Sequence, residues 1–431
     1  MSGPLAAQTL TTIQSWNGST GYAFGRPYVN AKGVVYGVLS DGVNGPNGTI
    51  YSLTKPKSGT TWKPVTISTF TGGATGGYPL GGLIADLKGN LYGTSFGGGN
   101  TSGVCGVVNG SIVGCGTVFE LVKPKTGTTW TRKVLYSFTG GKDGIGPVGD
   151  LVFDAAGALY GVTEWGGCTP TLTYPNGCGT VFKLSVKKAK WTETVLHDFQ
   201  GGANDGAYPS APVAVDASGN VFGGTLYGGL SNCNATSGDP DGACGTAFEL
   251  AKSGSTYSES VLYKFADGAD GSLAGGGVVI DANGNLFGTT LQGGNTTVSC
   301  QQFGHSGCGT VFELSPPTGG GTAWTKTAVH TFTGTDGAYP EILLKDAAGN
   351  LFGTASQNSG GGGGCAFYCG AVFALKYSAG VWTESTLHSF VNGSDNAGPQ
   401  FGMTADSAGT LYGVSLYNVT STAFMLTGSG F

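Results

Sequence analysis

One short motif, an apolar residue followed by Tyr or Phe and then Gly, recurs seven times along the chain. It falls at Tyr36-Gly37, Tyr92-Gly93, Tyr160-Gly161, Phe222-Gly223, Phe287-Gly288, Phe352-Gly353 and Tyr412-Gly413, at intervals of 56, 68, 62, 65, 65 and 60 residues. Most of the remaining sequence repeats in phase with it. A unit of this length cannot bury its apolar face alone and must pack against copies of itself, so the repeat governs every other inference about the fold.

The third and fourth repeats show the unit most clearly. Segment A is apolar and ends in Asp (Pro147 to Asp154; Pro209 to Asp216), and a tight turn leads to segment B (Leu159 to Thr163; Val221 to Thr225). A loop with Gly and Cys precedes segment C (Gly179 to Leu184; Gly245 to Leu250). A polar turn then precedes segment D (Trp191 to Phe199; Tyr257 to Phe265), whose strict alternation predicts one wet face. No window carries a helical period. Four strands in each of seven repeats predict an all-β, seven-bladed β-propeller made of residues 1–431 as a single domain. The ends support a closed ring over an open solenoid. Residues 9–16 read like the end of a D segment, and the last repeat stops after its C segment, Thr422 to Leu426. The N-terminal strand is therefore expected to complete the last blade and remove an open edge. Trp16 then takes the slot held elsewhere by Phe70, Phe138, Phe199, Phe265, Phe332 and Phe390.

Composition narrows the function classes. Charged residues are 10%, against a usual share of about 25%. With 39% apolar content this argues against disorder, and the 83 glycines punctuate short β-rich runs. Net charge is −5 and the only arginines are Arg26 and Arg132, which leaves no basic stripe for nucleic acid. No run reaches the roughly 18 apolar residues of a membrane span, and Met1 to Gln8 shows no signal peptide. The ten cysteines form five pairs, each inside one loop of one repeat: Cys105/Cys115, Cys168/Cys178, Cys233/Cys244, Cys300/Cys308 and Cys365/Cys369. Loop-local disulfides suit an oxidising, secreted or extracellular setting. Zinc is the rival reading, but these loops hold one histidine, His305, and lack paired C-x-x-C ends.

The blocks Gly-Asn-Leu-Tyr-Gly-Thr (89–94), Gly-Cys-Gly-Thr-Val-Phe-Glu-Leu (114–121) and Trp-Thr-Glu-Thr-Val-Leu-His-Asp-Phe (191–199) resemble the repeat of bacterial choice-of-anchor tandem repeat GloVer-containing proteins. The resemblance covers essentially the whole chain and implies a secreted or surface-displayed propeller. It implies no particular activity. The residues up to Phe431 include no anchor segment, so the resemblance carries no expectation of how the propeller is attached to the envelope.

In a propeller the D-to-A and B-to-C connections emerge on one face around the central channel. Here both are long and variable, so function is expected on the face that carries the disulfide loops. The D-to-A loops repeat an acidic motif (Asp143, Asp205, Asp270, Asp336, Asp395). It reads as turn chemistry, or as a ring of carboxylates for Ca²⁺ or sugar hydroxyls. No other cofactor is indicated. Asp86, Asp154, Asp216, Asp281, Asp346 and Asp406 close the A segments and read as turn residues, while His197, His330 and His388 read as outer-strand residues. The residues that break the repeat on the expected face are the ligand candidates: Arg26, expected in the loop before blade 1, with Glu164, Trp165, Asp205, Tyr227, His305 and Tyr417. Aromatics beside carboxylates and an arginine suit a sugar, although loop aromatics also pack over disulfides. The expected partner is a glycan or another surface protein. No nucleophile elbow, histidine cluster or metal shell marks an enzyme. A polysaccharide lyase using Tyr, His and Arg and a self-assembling surface protein are the two alternatives.

Overall fold

The computed structural model describes all residues except 1–7, 41–46, 106–113, 172, 174, 231–243, 298–299, 301–306, 320, 322, 358–368, 392–397 and 418–419, together with the side chain of Tyr417. The chain forms seven antiparallel sheets arranged as the blades of a ring, and helix among the described residues is limited to three-residue 3₁₀ turns. Blade 3 is representative, running outward from Ile145–Phe153 through Leu159–Trp165 and Thr180–Lys187 to Lys190–Asp198. Blade 7 supplies only three strands from the C-terminal end of the chain, Pro399–Ala405, Leu411–Tyr417 and Thr420–Thr427. Thr9–Asn17 is its fourth and outermost strand, antiparallel to the last of them with Trp16 opposite Ser421. The closure read from the ends of the sequence is thus the closure the molecule uses.

The founding glycine has a packing reason. Each lies directly across the ladder from an aromatic on the third strand, as Gly161 does from Phe182 and Gly413 from Phe424. A Cβ at either position would run into that ring. The same ring meets the aromatic that ends the fourth strand of the preceding blade. Phe70–Phe119, Phe138–Phe182, Phe199–Phe248, Phe265–Phe312, Phe332–Phe373 and Phe390–Phe424 pack with centroids 5.0–5.4 Å apart. Trp16–Tyr51, at 4.6 Å, completes the circle between blades 7 and 1. Trp16 therefore does occupy the Phe slot. The core is accordingly a set of seven clusters, each shared by neighbouring blades, rather than one centre.

Disulfides join Cys105 to Cys115, Cys168 to Cys178 and Cys300 to Cys308. Cys244 and Cys369 are also disulfide-bonded, while Cys233 and Cys365 lie outside the described residues. Short loops closed in this way gain about 2–3 kcal/mol each in the chain-entropy account. No helix of the described chain is long and apolar enough to cross a membrane.

The innermost strands depart from the continuous A segments read from sequence. In blade 1 the register slips between Phe24 and Tyr28, and in blade 3 between Val148 and Val152. In blade 6 the strand is split into Ala338–Pro340 and Leu344–Lys345. Positive φ angles at Gly25 (65°) and Gly149 (66°) account for the slips in blades 1 and 3. Such bulges bend a strand and re-aim the side chain that follows.

Candidate functional site

The residue after each of those two glycines is charged: Arg26 after Gly25 and Asp150 after Gly149. The two belong to blades 1 and 3, yet Arg26 Nε lies 2.8 Å from Asp150 Oδ2. They meet because blade 2, between them, carries Gly82 at the same position. The Gly82 N–H donates to Asp150 Oδ1 at 2.6 Å, and a Cβ on Gly82 would strike both Asp150 and the Arg26 backbone. Asp150 is 3% exposed and needs both partners, because an unpaired buried carboxylate is costly. The ion pair uses only Nε. The two terminal amino groups of Arg26 have no hydrogen-bond partner among the described residues.

This pair lies in a cavity of about 270 Å³ at the mouth of the central channel, and every blade contributes to its wall. The inner strands give Phe24, Val148 and Phe401, and the segments leading into or interrupting them give Leu80, Ser210, Gly275 and Glu341. The ends of second strands and the connections after them give Glu164, Leu226 and Leu291. Phe24 and Phe401 form a tilted aromatic pair with centroids 5.2 Å apart. A second cavity of about 320 Å³, which shares Arg26 and Ile342, continues among Val152, Val213 and Val278. The channel thus has a polar mouth and an apolar lower section.

Two further carboxyls face the mouth. Glu164 is next to last in its strand; its carboxyl has no hydrogen-bond or ionic partner among the described residues, and burial pushes it up to about 7. Glu341 sits in the break of the blade 6 inner strand, where its own N–H donates to Thr354 O at 2.8 Å. Burial raises this carboxyl to about 7 as well, against an opposing hydrogen bond from Ser356. Neither has a cation to match it among the described residues, since Arg26 is already paired with Asp150. Near neutral pH each is poised between acceptor and donor.

The sequence candidates separate into groups. Arg26 and Glu164 line the cavity together, with Arg26 in the inner strand itself rather than in the loop before it. Trp165 packs edge-on against Phe96 of the previous blade, with centroids 5.0 Å apart. Tyr227 packs likewise against Tyr208, at 5.2 Å. Asp205 is buried between blades 3 and 4, where Gln200 N–H donates to it at 2.7 Å and His197 Nε2 lies at 3.2 Å. His305 lies outside the described residues, and Tyr417 is described only as the end of a strand.

The acidic D-to-A motif proves to be a fastening. The Tyr136 hydroxyl donates to Asp143 at 3.0 Å, the Tyr263 hydroxyl donates to Asp270 at 2.7 Å, and His330 lies 2.9 Å from Asp336. Each carboxylate also accepts a loop N–H, from Thr139, Ala266 and Thr333 respectively. Each of these three carboxylates is tied to local partners through at least one oxygen, while Asp143 Oδ1 is left unpartnered among the described residues, and Asp395 lies outside them. Asp86, Asp154, Asp216, Asp281, Asp346 and Asp406 cap their turns, each accepting the N–H of the residue four further on.

Two site residues were missed by the sequence reading, Asp150 and Glu341. Both break a repeat position. Counting back from the turn residue, Asp150 stands where blades 2 and 4 have Gly82 and Pro212. Counting on from the shared proline, Glu341 stands where they have Leu80 and Ser210.

Residues 105–300 and 236–427 match the Gloeobacter/Verrucomicrobia repeat in two overlapping spans, and the chain belongs to that repeat family. No curated protein sequence matches it. Among solved structures, an ulvan lyase, a polysaccharide lyase, is similar over 95% of this chain and 95% of its own, at 9% identity and a TM-score of 0.50. A gluconolactonase from Xanthomonas campestris is similar over 98% of this chain and 90% of its own, at 13% identity and a TM-score of 0.42. A protein from Lactobacillus plantarum is similar over 85% of this chain and 84% of its own, at 14% identity and a TM-score of 0.48. At these identities the likeness is one of fold, and sites on a common fold vary independently of it.

Proposed function

We propose that this member of the repeat family is a secreted or surface-displayed binding propeller that takes a neutral sugar in the mouth of its central channel. The observation that carries the reading is the composition of one cavity, in which the tilted pair Phe24–Phe401 shares a wall with the terminal amino groups of Arg26 and the carboxyls of Glu164 and Glu341. A pyranose has an apolar C–H face and a rim of hydroxyls that both donate and accept. The aromatic pair suits the face, and carboxyls near their midpoint together with free guanidinium N–H groups suit the rim. At about 270 Å³ the space is slightly below the roughly 300–1,000 Å³ of drug-sized pockets, which fits one or two rings rather than a polymer segment.

Charge decides against acidic sugars. Two carboxyls remain beside one arginine that Asp150 already neutralises, so a uronate or sulfate would enter without a cation to receive it. A lyase of acidic polysaccharides needs that cation, and the ulvan lyase similarity supplies the scaffold alone. The disulfide-stapled loops around the same face support the oxidising setting.

A glycan array followed by calorimetry on the purified protein tests the proposal. Binding of a neutral monosaccharide or chain end, weakened at least tenfold by Phe24→Ala and by Glu341→Ala, supports it. A blank array, or a bound glycan indifferent to both substitutions, overturns it. A blank array with large particles in light scattering would instead favour a self-assembling surface protein.

A further inference from the structure

Four seams, from that between blades 2 and 3 to that between blades 5 and 6, repeat one polar arrangement with one variable member. The loop Asp and the outer-strand Tyr or His of one blade face a residue on the outer strand of the next, at a fixed register. Glu193 opposite Leu184, Glu259 opposite Leu250, Lys326 opposite Leu314 and Glu384 opposite Leu375 are the equivalents. Between blades 4 and 5 that residue is a cation. Lys326 Nζ lies 2.7 Å from Asp270 Oδ1, so a positive charge fills the space beside the loop carboxylate.

Between blades 3 and 4 the same place holds a second carboxylate. One ligating atom each from His197, Asp205 and Glu259 lie within 4.8 Å of one another. Glu259 Oε1 is fully buried and has no hydrogen-bond partner among the described residues. Asp205 is fixed from behind, since Gln200 N–H donates to Oδ2 at 2.7 Å and Gly206 N–H to Oδ1 at 2.6 Å. Backbone donors of this kind orient a ligating carboxylate.

We propose that a divalent cation of the zinc class bridges blades 3 and 4 here, ligated by the imidazole of His197 and one carboxylate oxygen each from Asp205 and Glu259. It would stand where the ammonium of Lys326 stands one seam further on. One nitrogen and two carboxylate oxygens, with water in the remaining position, suit zinc better than Ca²⁺, which takes six to eight oxygens. The neighbouring seams sharpen the assignment. Between blades 2 and 3 a phenol, Tyr136, replaces the imidazole. Between blades 5 and 6 the residue types recur, but Glu384 accepts a hydrogen bond from Thr386 at 3.1 Å within its own strand. Among the described residues, only the seam of blades 3 and 4 brings the three ligand types together.

The test uses tag-free protein stripped with chelator, titrated with ZnCl₂ and separately with CaCl₂, and melted with and without each metal. Uptake of one Zn²⁺ per chain at micromolar affinity or tighter, with a raised Tm and no comparable effect of Ca²⁺, is expected. Glu259→Lys, which copies the arrangement at Lys326, should weaken Zn²⁺ binding at least a hundredfold while keeping the metal-free Tm. Glu384→Lys should leave Zn²⁺ binding unchanged. A wild-type protein that takes up no Zn²⁺, or a Glu259→Lys variant that binds it like wild type, overturns the site.

Discussion

The channel mouth and the blade seams are both polar, but they handle polarity in opposite ways. In the seams, side chains are tied down by repeat partners, as Tyr263 is by Asp270 and Phe265 by Phe312. At the mouth, the Glu164 carboxyl has no partner among the described residues and Arg26 spends only Nε on Asp150. Most seam residues recur in phase and hold the ring, with Glu193 and Glu259 as seam carboxyls that keep an unpartnered oxygen; the mouth residues occur once each and leave hydrogen-bonding capacity unspent. In a repeat protein, departure from the repeat is the better guide to a ligand, and this difference can be tested by substitution.

The largest effect is expected at a seam. Trp16→Ala removes the contact with Tyr51 that closes blade 7 on blade 1, and should cost about 3–5 kcal/mol in chemical denaturation, as deletion of a buried aromatic does. Sugar affinity of the folded fraction should stay unchanged. A variant that folds normally yet loses the sugar would break the division between the two regions. Asp150→Ala should violate the division deliberately. It strips Arg26 of its counter-charge and Gly82 N–H of its acceptor, for about 2–4 kcal/mol, and weakens the sugar as well, which paired denaturation and calorimetry would show.

Glu341→Gln should do the reverse of Trp16→Ala. Affinity for the array hit should fall about tenfold, some 1.4 kcal/mol, while the midpoint of unfolding at pH 7 holds or rises slightly. Tyr263→Phe should cost about 0.5–1.5 kcal/mol of stability through the lost bond to Asp270, with affinity untouched.

The smallest effect is a pH slope. Glu164 and Glu341 titrate at about 7 in the folded protein, against about 4.3 in an unfolded chain. The folded state therefore binds more protons between those values, so stability is full below about pH 4.5, declines towards pH 7 and is level above it. Glu164→Gln should reduce the fall in Tm between pH 5 and pH 8 by on the order of 1–2 °C. An identical slope in the variant would mean that this carboxyl is as well solvated as one in water.

Much of the architecture was legible because the repeat states it seven times. The period of two in Trp191–Phe199, the Tyr/Phe-Gly pairs and the orphan strand at Thr9 are local signals, and each sheet is built from neighbours in sequence. The site was legible only in part. Arg26 and Glu164 were found as residues without repeat counterparts. Asp150 and Glu341 were not, because they sit inside segments that otherwise read as plain apolar strand. Asp205 drew notice as an acidic loop residue, yet its partners are His197 on its own blade and Glu259 on the next, a grouping that no spacing in one repeat displays.

What the sequence determined alone is the blade, the number of blades and how the circle closes, because strand pairing in a propeller is between near neighbours and alternation and glycine placement encode it locally. What only the tertiary structure decided is which side chains look into the channel. That depended on two bulges opened by Gly25 and Gly149, on a break at Glu341, and on the absence of a Cβ at Gly82 that lets blades 1 and 3 touch across blade 2. Local pattern fixes how a strand pairs. Where its middle turns inward is set by contacts among blades more than a hundred residues apart.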